Sequence, residues 1–207
     1  MNLAELKMAM LGAARDLTGR EEELCRLDSH VGDGDHGISV KKGFNSVIKM
    51  METDTTADMR DFLFESGLAF SDWAGGAMGP IMASLFYGMA EAIDAGQTEI
   101  DAAGLYRAFS NGMAQIQELG KAEIGDRTLL DALNPALETL RANLNDPVPA
   151  ALAKMADSAY EGAQSTKEMV AKTGRARYLG EASKGYIDAG SMSMYYFLRA
   201  FANSMKS

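Results

Sequence analysis

An all-α fold is predicted by three features of the 207-residue sequence. Alanine occurs 32 times whereas Val and Ile together occur 13 times, a composition that favours helix and is poor in β-branched strand formers. Apolar residues recur three and four positions apart rather than two. The Gly, Pro and polar breakers cluster between those runs, and reading them as connections gives about eight helices.

Taken in order, Leu3, Leu6, Met10 and Leu17 form one apolar stripe and place the first helix near 2–26. Two more follow near 37–52 and 57–72. The fourth, near 79–95, has Pro80 in its first turn, where a missing N–H is harmless. Leu105, Phe109, Ile116 and Leu119 define a helix near 101–119, and Leu130, Leu133, Leu137, Leu140 and Leu144 another near 127–144. Pro135 interrupts that Leu stripe and predicts a bend or a later start. NDPVP at 145–149 is the sharpest break; helices near 148–172 and 190–206 follow, the last with Met194, Leu198, Phe201 and Met205 on one face. No repeat, low-complexity tract or domain boundary interrupts the series, so residues 1–207 read as one domain. The 15 methionines fit gap-filling in a helical core, with an adaptable contact surface as the sharper alternative.

Composition narrows the function. Twenty Lys+Arg against 29 Asp+Glu leave a net charge of -9, which argues against nucleic acid and against an anionic membrane surface as partners. The uncharged stretch from Trp73 to Ala90 contains four glycines and Pro80 and is shorter than a bilayer span, so it reads as a buried helix with a Gly-rich entrance. One cysteine, Cys25, forms no internal disulfide, and the start MNLAELKMAM has no secretory pattern; a cytoplasmic protein is expected.

Four polar, Gly-rich connections do not read as core: 28–37 (DSHVGDGDHG), 75–80 (GGAMGP), 120–128 (GKAEIGDRT) and 174–181 (GRARYLGE) continuing to 188–190 (DAG). They follow the first, third, fifth and seventh helices, and in an up-and-down bundle alternate connections emerge at one end. Four weak motifs thereby become one candidate site. Asp28, Asp33 and Asp35 within eight residues repel one another and favour a hard cation with oxygen ligands. An EF-hand is excluded because Ile38 and Phe44 stand where its Gly and closing Glu belong; Mg²⁺ completed by phosphates and water needs fewer protein ligands than a Ca²⁺ cage. A solvated acidic turn that binds nothing is the bland alternative. The Gly75–Pro80 loop opens a helix whose first amides suit phosphate, although such loops are often only tight turns. Arg175 and Arg177 could meet phosphate as planar forks, or could be plain surface residues. His36 reads as a general base, a phosphate donor or a loop residue. Zinc, P-loop and serine-triad patterns are absent, and Cys25 has no evident activating partner. From residues alone the site is one for a Mg²⁺-nucleotide or another Mg²⁺-phosphate.

The runs GDGDHGISVKKGF, GGAMGP, GKAEIGDRTLLDA and GRARYLGEASKGYIDAG, in that order and across essentially the whole chain, resemble the nucleotide-binding L subunit of dihydroxyacetone kinases. The resemblance implies an eight-helix antiparallel up-and-down barrel with ADP or ATP at one rim. It implies two Mg²⁺ ions on Asp28, Asp33 and Asp35, with His36 beside them in the catalytic group. Nucleotide contacts are implied for His36, Gly37, Ile38, Ser39, Gly76, Ala77, Met78, Gly120, Thr128, Leu129, Arg175, Asp188, Ala189 and Gly190. The phosphoryl group would pass to a short-chain hydroxyketone held on a separate K subunit. The donor would be a phosphohistidine protein of the phosphotransferase system recharging bound ADP, in preference to exchangeable ATP; a homodimer is compatible with this arrangement.

The chain departs from the usual pattern at several positions. Ser39, Val40 and Lys42 replace Asn, Met and Arg; Met78 replaces a Ser whose hydroxyl faces phosphate; Tyr186 and Ala189 replace His and Pro. Nucleotide binding is expected to survive these changes, and a four-carbon ketose is compatible with them. A diverged nucleotide-binding regulator that transfers nothing is the main alternative, favoured by Met78 and Ser39, and a fatty acid kinase subunit is a further one.

Overall fold

The computed structural model describes residues 1–205. Nine α-helices are present among them: α1 (Leu3–Thr18), α2 (Glu21–Ser29), α3 (His36–Glu52), α4 (Met59–Trp73), α5 (Met78–Glu91), α6 (Ala102–Gly120), α7 (Leu130–Ala142), α8 (Val148–Ser165) and α9 (Ala189–Asn203). No strand occurs among the described residues; a single β-bridge pairs Asn2 with Glu99. The eight longer helices form a closed ring in which each packs on its neighbour in sequence order and α9 returns to α1, while α2 lies against α3 and α9. The all-α barrel expected from the sequence is therefore present.

The helix ends follow local chemistry. Asn2 and Glu5 form a reciprocal capping box on α1, and Asp58, Asp101 and Asp188 accept backbone N–H bonds at the starts of α4, α6 and α9. The main departure from expectation is near the N-terminus, where the predicted helix 2–26 is two helices broken at Gly19 and Arg20. Arg20 bridges the break: it pairs with Asp16 and Glu23 while its guanidinium lies 3.8 Å from the ring centre of Tyr196. The helix expected over 127–144 starts at Leu130, because Asp131 turns back to accept from the Thr128 N–H at 2.7 Å. It runs through Pro135, which leaves the Asp131 carbonyl without an intrahelical donor. Gly162 of α8 crosses at that carbonyl; a Cβ there would lie 2.3 Å from the Asp131 oxygen. The helix expected over 148–172 ends at Ser165 and passes into a 3-10 turn, and a second 3-10 segment occupies Arg175–Ser183 within the predicted loop. Position 206, the expected end of the last helix, lies outside the described residues.

The ring closes around one aromatic and aliphatic core. Phe44, Phe62, Phe70, Phe86, Phe109, Phe197 and Phe201 are fully buried, with edge-to-face pairs such as Phe44–Phe70 at 5.0 Å. Met10, Met59, Met82, Met89, Met155, Met192 and Met194 are buried among them, so much of the methionine content fills core space. Leu119 is an exception to its stripe: it is 53% exposed at the last turn of α6. Small residues set the closest crossings. At Gly88 a Cβ would stand 2.6 Å from the Cα of Gly112, so α5 and α6 meet backbone to backbone. No helix among the described residues is long and apolar enough to cross a membrane.

Candidate nucleotide site

Four connections meet at one end of the ring: 30–35 ahead of α3, 74–77 between α4 and α5, 121–129 between α6 and α7, and 166–188 between α8 and α9. They enclose a cavity of about 290 Å³ lined by Asp28, Asp33, Asp35, His36, Ser39, Gly75 to Met78, Arg127 to Leu129, Thr173 to Ala176 and Asp188 to Gly190, among others. The lining includes the starts of α3, α5 and α9 and the residue that caps α7, and omits the last turns of α4, α6 and α8. Four positive helix ends thus bound one space, a setting that favours a polyanion. A larger groove of about 460 Å³, lined by Asn2, Lys7, Asp58 and Gly96 among others, has no comparable cluster of charged groups.

The three predicted aspartates converge. One carboxylate oxygen from each of Asp28, Asp33 and Asp35 lies within 4.8 Å of the other two. The local fold explains the convergence: Val31 and Gly32 donate to the Asp28 carbonyl, and the Gly34 N–H donates to Asp28 Oδ2 at 2.8 Å, so the loop winds around the end of α2. Gly34 completes the turn at φ +76°, open to glycine at little cost. This all-oxygen, carboxylate-rich donor set at an open mouth fits Mg²⁺. Arg175 pairs with Asp33 across the cavity. The lining residues include four carboxylates (Asp28, Asp33, Asp35, Asp188) and two arginines (Arg127, Arg175), leaving an excess of negative charge that a polyphosphate meets favourably only with added cations.

His36 opens α3 and its Nε2 is 3.1 Å from Ser193 Oγ on α9. Burial pushes the imidazole below its ordinary pKa, opposed by the nearby Asp28 charge. At the start of α9, Asp188 caps the helix by accepting from the Ser191 N–H at 2.7 Å. Burial raises its pKa to about 6, against the pull of that hydrogen bond and of Arg127. The Gly75–Gly76 turn enters α5 with Gly76 at φ +61°, and Met78 is the first helical residue.

Of the sequence-predicted residues, Asp28, Asp33, Asp35, His36, Ser39, Gly76, Ala77, Met78, Thr128, Leu129, Arg175, Asp188, Ala189 and Gly190 line this cavity. Gly37, Ile38 and Gly120 do not. Gly37 is buried where α3 crosses α2, and a Cβ there would lie 2.1 Å from the Glu21 carbonyl; Ile38 is 40% exposed; Gly120 is exposed at the end of α6. The sequence reading missed Arg127 and the contact between the outer loops, where His30 stacks on Tyr186 with ring centres 4.7 Å apart. Neither residue carries a local signal, since an Arg or a His in a polar loop ordinarily faces water.

Residues 30–203 match the DAK2 domain family. The chain is 38% identical over 187 residues to the PEP-dependent dihydroxyacetone kinase 2, ADP-binding subunit DhaL, of Listeria innocua, covering 88% of this chain and 86% of that protein. It is 36% identical over 194 residues to the PEP-dependent dihydroxyacetone kinase, ADP-binding subunit DhaL, of Escherichia coli K12, covering 92% of each. The chain belongs to the DhaL family. Its fold is also that of part of the dihydroxyacetone kinase of C. freundii, solved in complex with AMP-PNP and Mg²⁺, with a TM-score of 0.77, 25% identity, and coverage of 99% of this chain and 34% of that longer polypeptide. The DhaL relatives are matched along most of their length, whereas about two thirds of the C. freundii enzyme lies beyond the shared part.

Proposed function

We propose that this chain holds ADP or ATP on two Mg²⁺ ions at the loop-bearing rim and passes a phosphoryl group to a short-chain hydroxyketone held on a separate K subunit. The convergence of three aspartate oxygens within 4.8 Å, beside four helix starts, carries the reading. Asp28, Asp33 and Asp35 are the metal ligands, and Mg²⁺ held there supplies neutralisation of phosphate oxygens and of the charge that moves during transfer. The backbone amides of Ala77, Met78 and Gly79 line the Gly-rich turn and orient the polyphosphate; Pro80, having no N–H, closes that set. Arg175 and the starts of α7 and α9 bound the remainder of the nucleotide, with His36 kept neutral as a hydrogen-bonding group beside the cluster.

Bound ADP recharged by a phosphohistidine protein of the phosphotransferase system is the preferred donor, because PEP-dependent, ADP-binding subunits match this chain along most of its length. The test is reconstitution: the purified chain, a cognate K subunit and dihydroxyacetone, with either ATP or a phosphorylated phosphotransferase protein. Product formed with the phosphoprotein, dependent on both chains and lost in Asp33→Ala, is expected; product formed with ATP alone overturns the donor assignment. The second reading, a nucleotide-binding regulator, is favoured by Met78, which lines the cavity at a position where the resemblance expects a hydroxyl to meet phosphate. Mg-ADP binding without transfer from either donor would establish it.

A further inference from the structure

We propose that Arg127 is a positioning residue for the nucleotide: its buried guanidinium locks the segment Tyr186–Gly190 onto Thr128–Leu129 and so fixes one wall of the cavity. The inference rests on the nucleotide reading above. Arg127 is 2% exposed and is the only buried cationic side chain among the described residues. Its backbone has φ +64°, a left-handed conformation that is strained for an L residue and that glycine would adopt freely. The fold therefore bears both backbone strain and desolvation at this position, which directs attention to what the side chain holds.

The side chain reaches across 59 positions of sequence. Nη2 donates to the Tyr186 carbonyl at 2.9 Å, just ahead of Asp188, Ala189 and Gly190. A second stitch runs in parallel, the Ser191 hydroxyl donating to the Thr128 carbonyl at 2.5 Å. Asp131 fixes the other side of Arg127 by accepting from the N–H groups of Gly125 and Thr128. The guanidinium charge also favours the ionised form of the Asp188 carboxylate, which burial disfavours. Nε and Nη1 are buried without a partner, so they are closed to a ligand in the cavity and the residue works through the loops it joins. Both joined segments line the cavity, so a change in their separation moves groups that meet the nucleotide.

The variant Arg127→Gly removes the guanidinium and relieves the backbone, which separates the side chain's role from that of the turn. Arg127→Lys keeps a charge without the planar fork and serves as the partial rescue. Three measurements on the purified full chain are compared with wild type: release of ADP in Mg²⁺ buffer, Mn²⁺ affinity without nucleotide, and thermal unfolding. Arg127→Gly is expected to release ADP about tenfold faster and Arg127→Lys about threefold faster, the scale of one hydrogen bond from a charged group, with Mn²⁺ affinity unchanged. ADP release equal to wild type in Arg127→Gly, whether or not its melting temperature moves, overturns the inference and leaves a structural residue. If Arg127→Gly does not fold, wild-type release in Arg127→Lys overturns it equally. A wild-type chain that binds Mn²⁺ but not ADP would overturn the nucleotide reading itself, and the inference with it, through a different measurement.

Discussion

Replacing Asp35 with Asn tests the metal site through stability rather than activity. Each pair of the carboxylate cluster lies within 4.8 Å, where two like charges repel by about 1 kcal/mol in a water-like dielectric and about 3–4 kcal/mol at a protein-surface value. Asp33 and Asp35 are exposed, so the lower figure applies, and removing Asp35 relieves two pairs, roughly 2 kcal/mol. The change also removes a negative charge from the start of α3, where it interacts favourably with the helix dipole by about 0.3–1 kcal/mol. The net effect is a gain of about 1 kcal/mol, or ~2–4 °C in melting temperature for a chain of this size. Thermal unfolding in EDTA should therefore show Asp35→Asn more stable than wild type. With Mg²⁺ added at a hundred times its dissociation constant, wild type gains about 2.7 kcal/mol and the order reverses. The advantage in EDTA should also shrink in high salt, which screens exposed charges. A variant that is less stable than wild type in EDTA, and that gains as much from Mg²⁺ as wild type does, would refute the cluster as a cation site.

Asp188 supplies a pH test. Its folded pKa of about 6 lies above the ordinary carboxylate value, so the folded state holds the proton more tightly and the group's penalty is absent at low pH and grows as pH rises from about 4 to above 6. Asp188→Asn keeps an oxygen for the Ser191 N–H, and its stability relative to wild type should increase by about 2–3 kcal/mol between pH 4 and 7, read from denaturant unfolding at each pH; a constant difference counts against the assignment. Gly37→Ala would place a Cβ 2.1 Å from the Glu21 carbonyl and push α2 off α3. Because α2 carries Asp28, calorimetry should show Mg-ADP affinity reduced about tenfold or more, the scale of a 1–3 kcal/mol overpacking strain. Gly88→Ala instead strains the α5–α6 crossing, far from the loops, and should cost about 1–3 kcal/mol of stability while the folded fraction binds Mg-ADP normally.

Features set by periodicity and parity were legible in the sequence. Leu130, Leu133, Leu137 and Leu140 are buried on one face of α7 as their spacing requires, and the four Gly-rich connections share one end because consecutive helices alternate in direction. The helix break at Gly19 was not legible: one glycine costs a helix only about 1 kcal/mol, and the apolar spacing from Leu17 to Leu24 continues across it. Arg127 was not legible either, since its burial depends on a carbonyl 59 residues away rather than on its neighbours. Leu119 shows the reverse error, an apolar residue in phase with the core but exposed on the last turn of α6.

The break at Gly19 matters to the chemistry. At 1.5 Å per residue, a continuous helix from Leu3 to Ser29 would be about 40 Å long, whereas α3, which spans the barrel beside it, is about 25 Å. Asp28 would then project well beyond the rim, out of reach of Asp33 and Asp35. Turning the chain at Gly19 and Arg20 lays α2 against α3 and α9, with Tyr196 Oη donating to Glu23 at 2.7 Å and Arg20 stacked on the same ring, and this returns Asp28 to the mouth. The Tyr196 hydroxyl and the Arg20 guanidinium are thus remote supports of the aspartate cluster. Tyr196→Phe, which removes only the hydroxyl bond, should weaken Mn²⁺ binding by about threefold without altering the helical content seen by circular dichroism, the scale of one ordinary hydrogen bond. Unchanged Mn²⁺ affinity would mean that α2 is held by its packing on α3 alone.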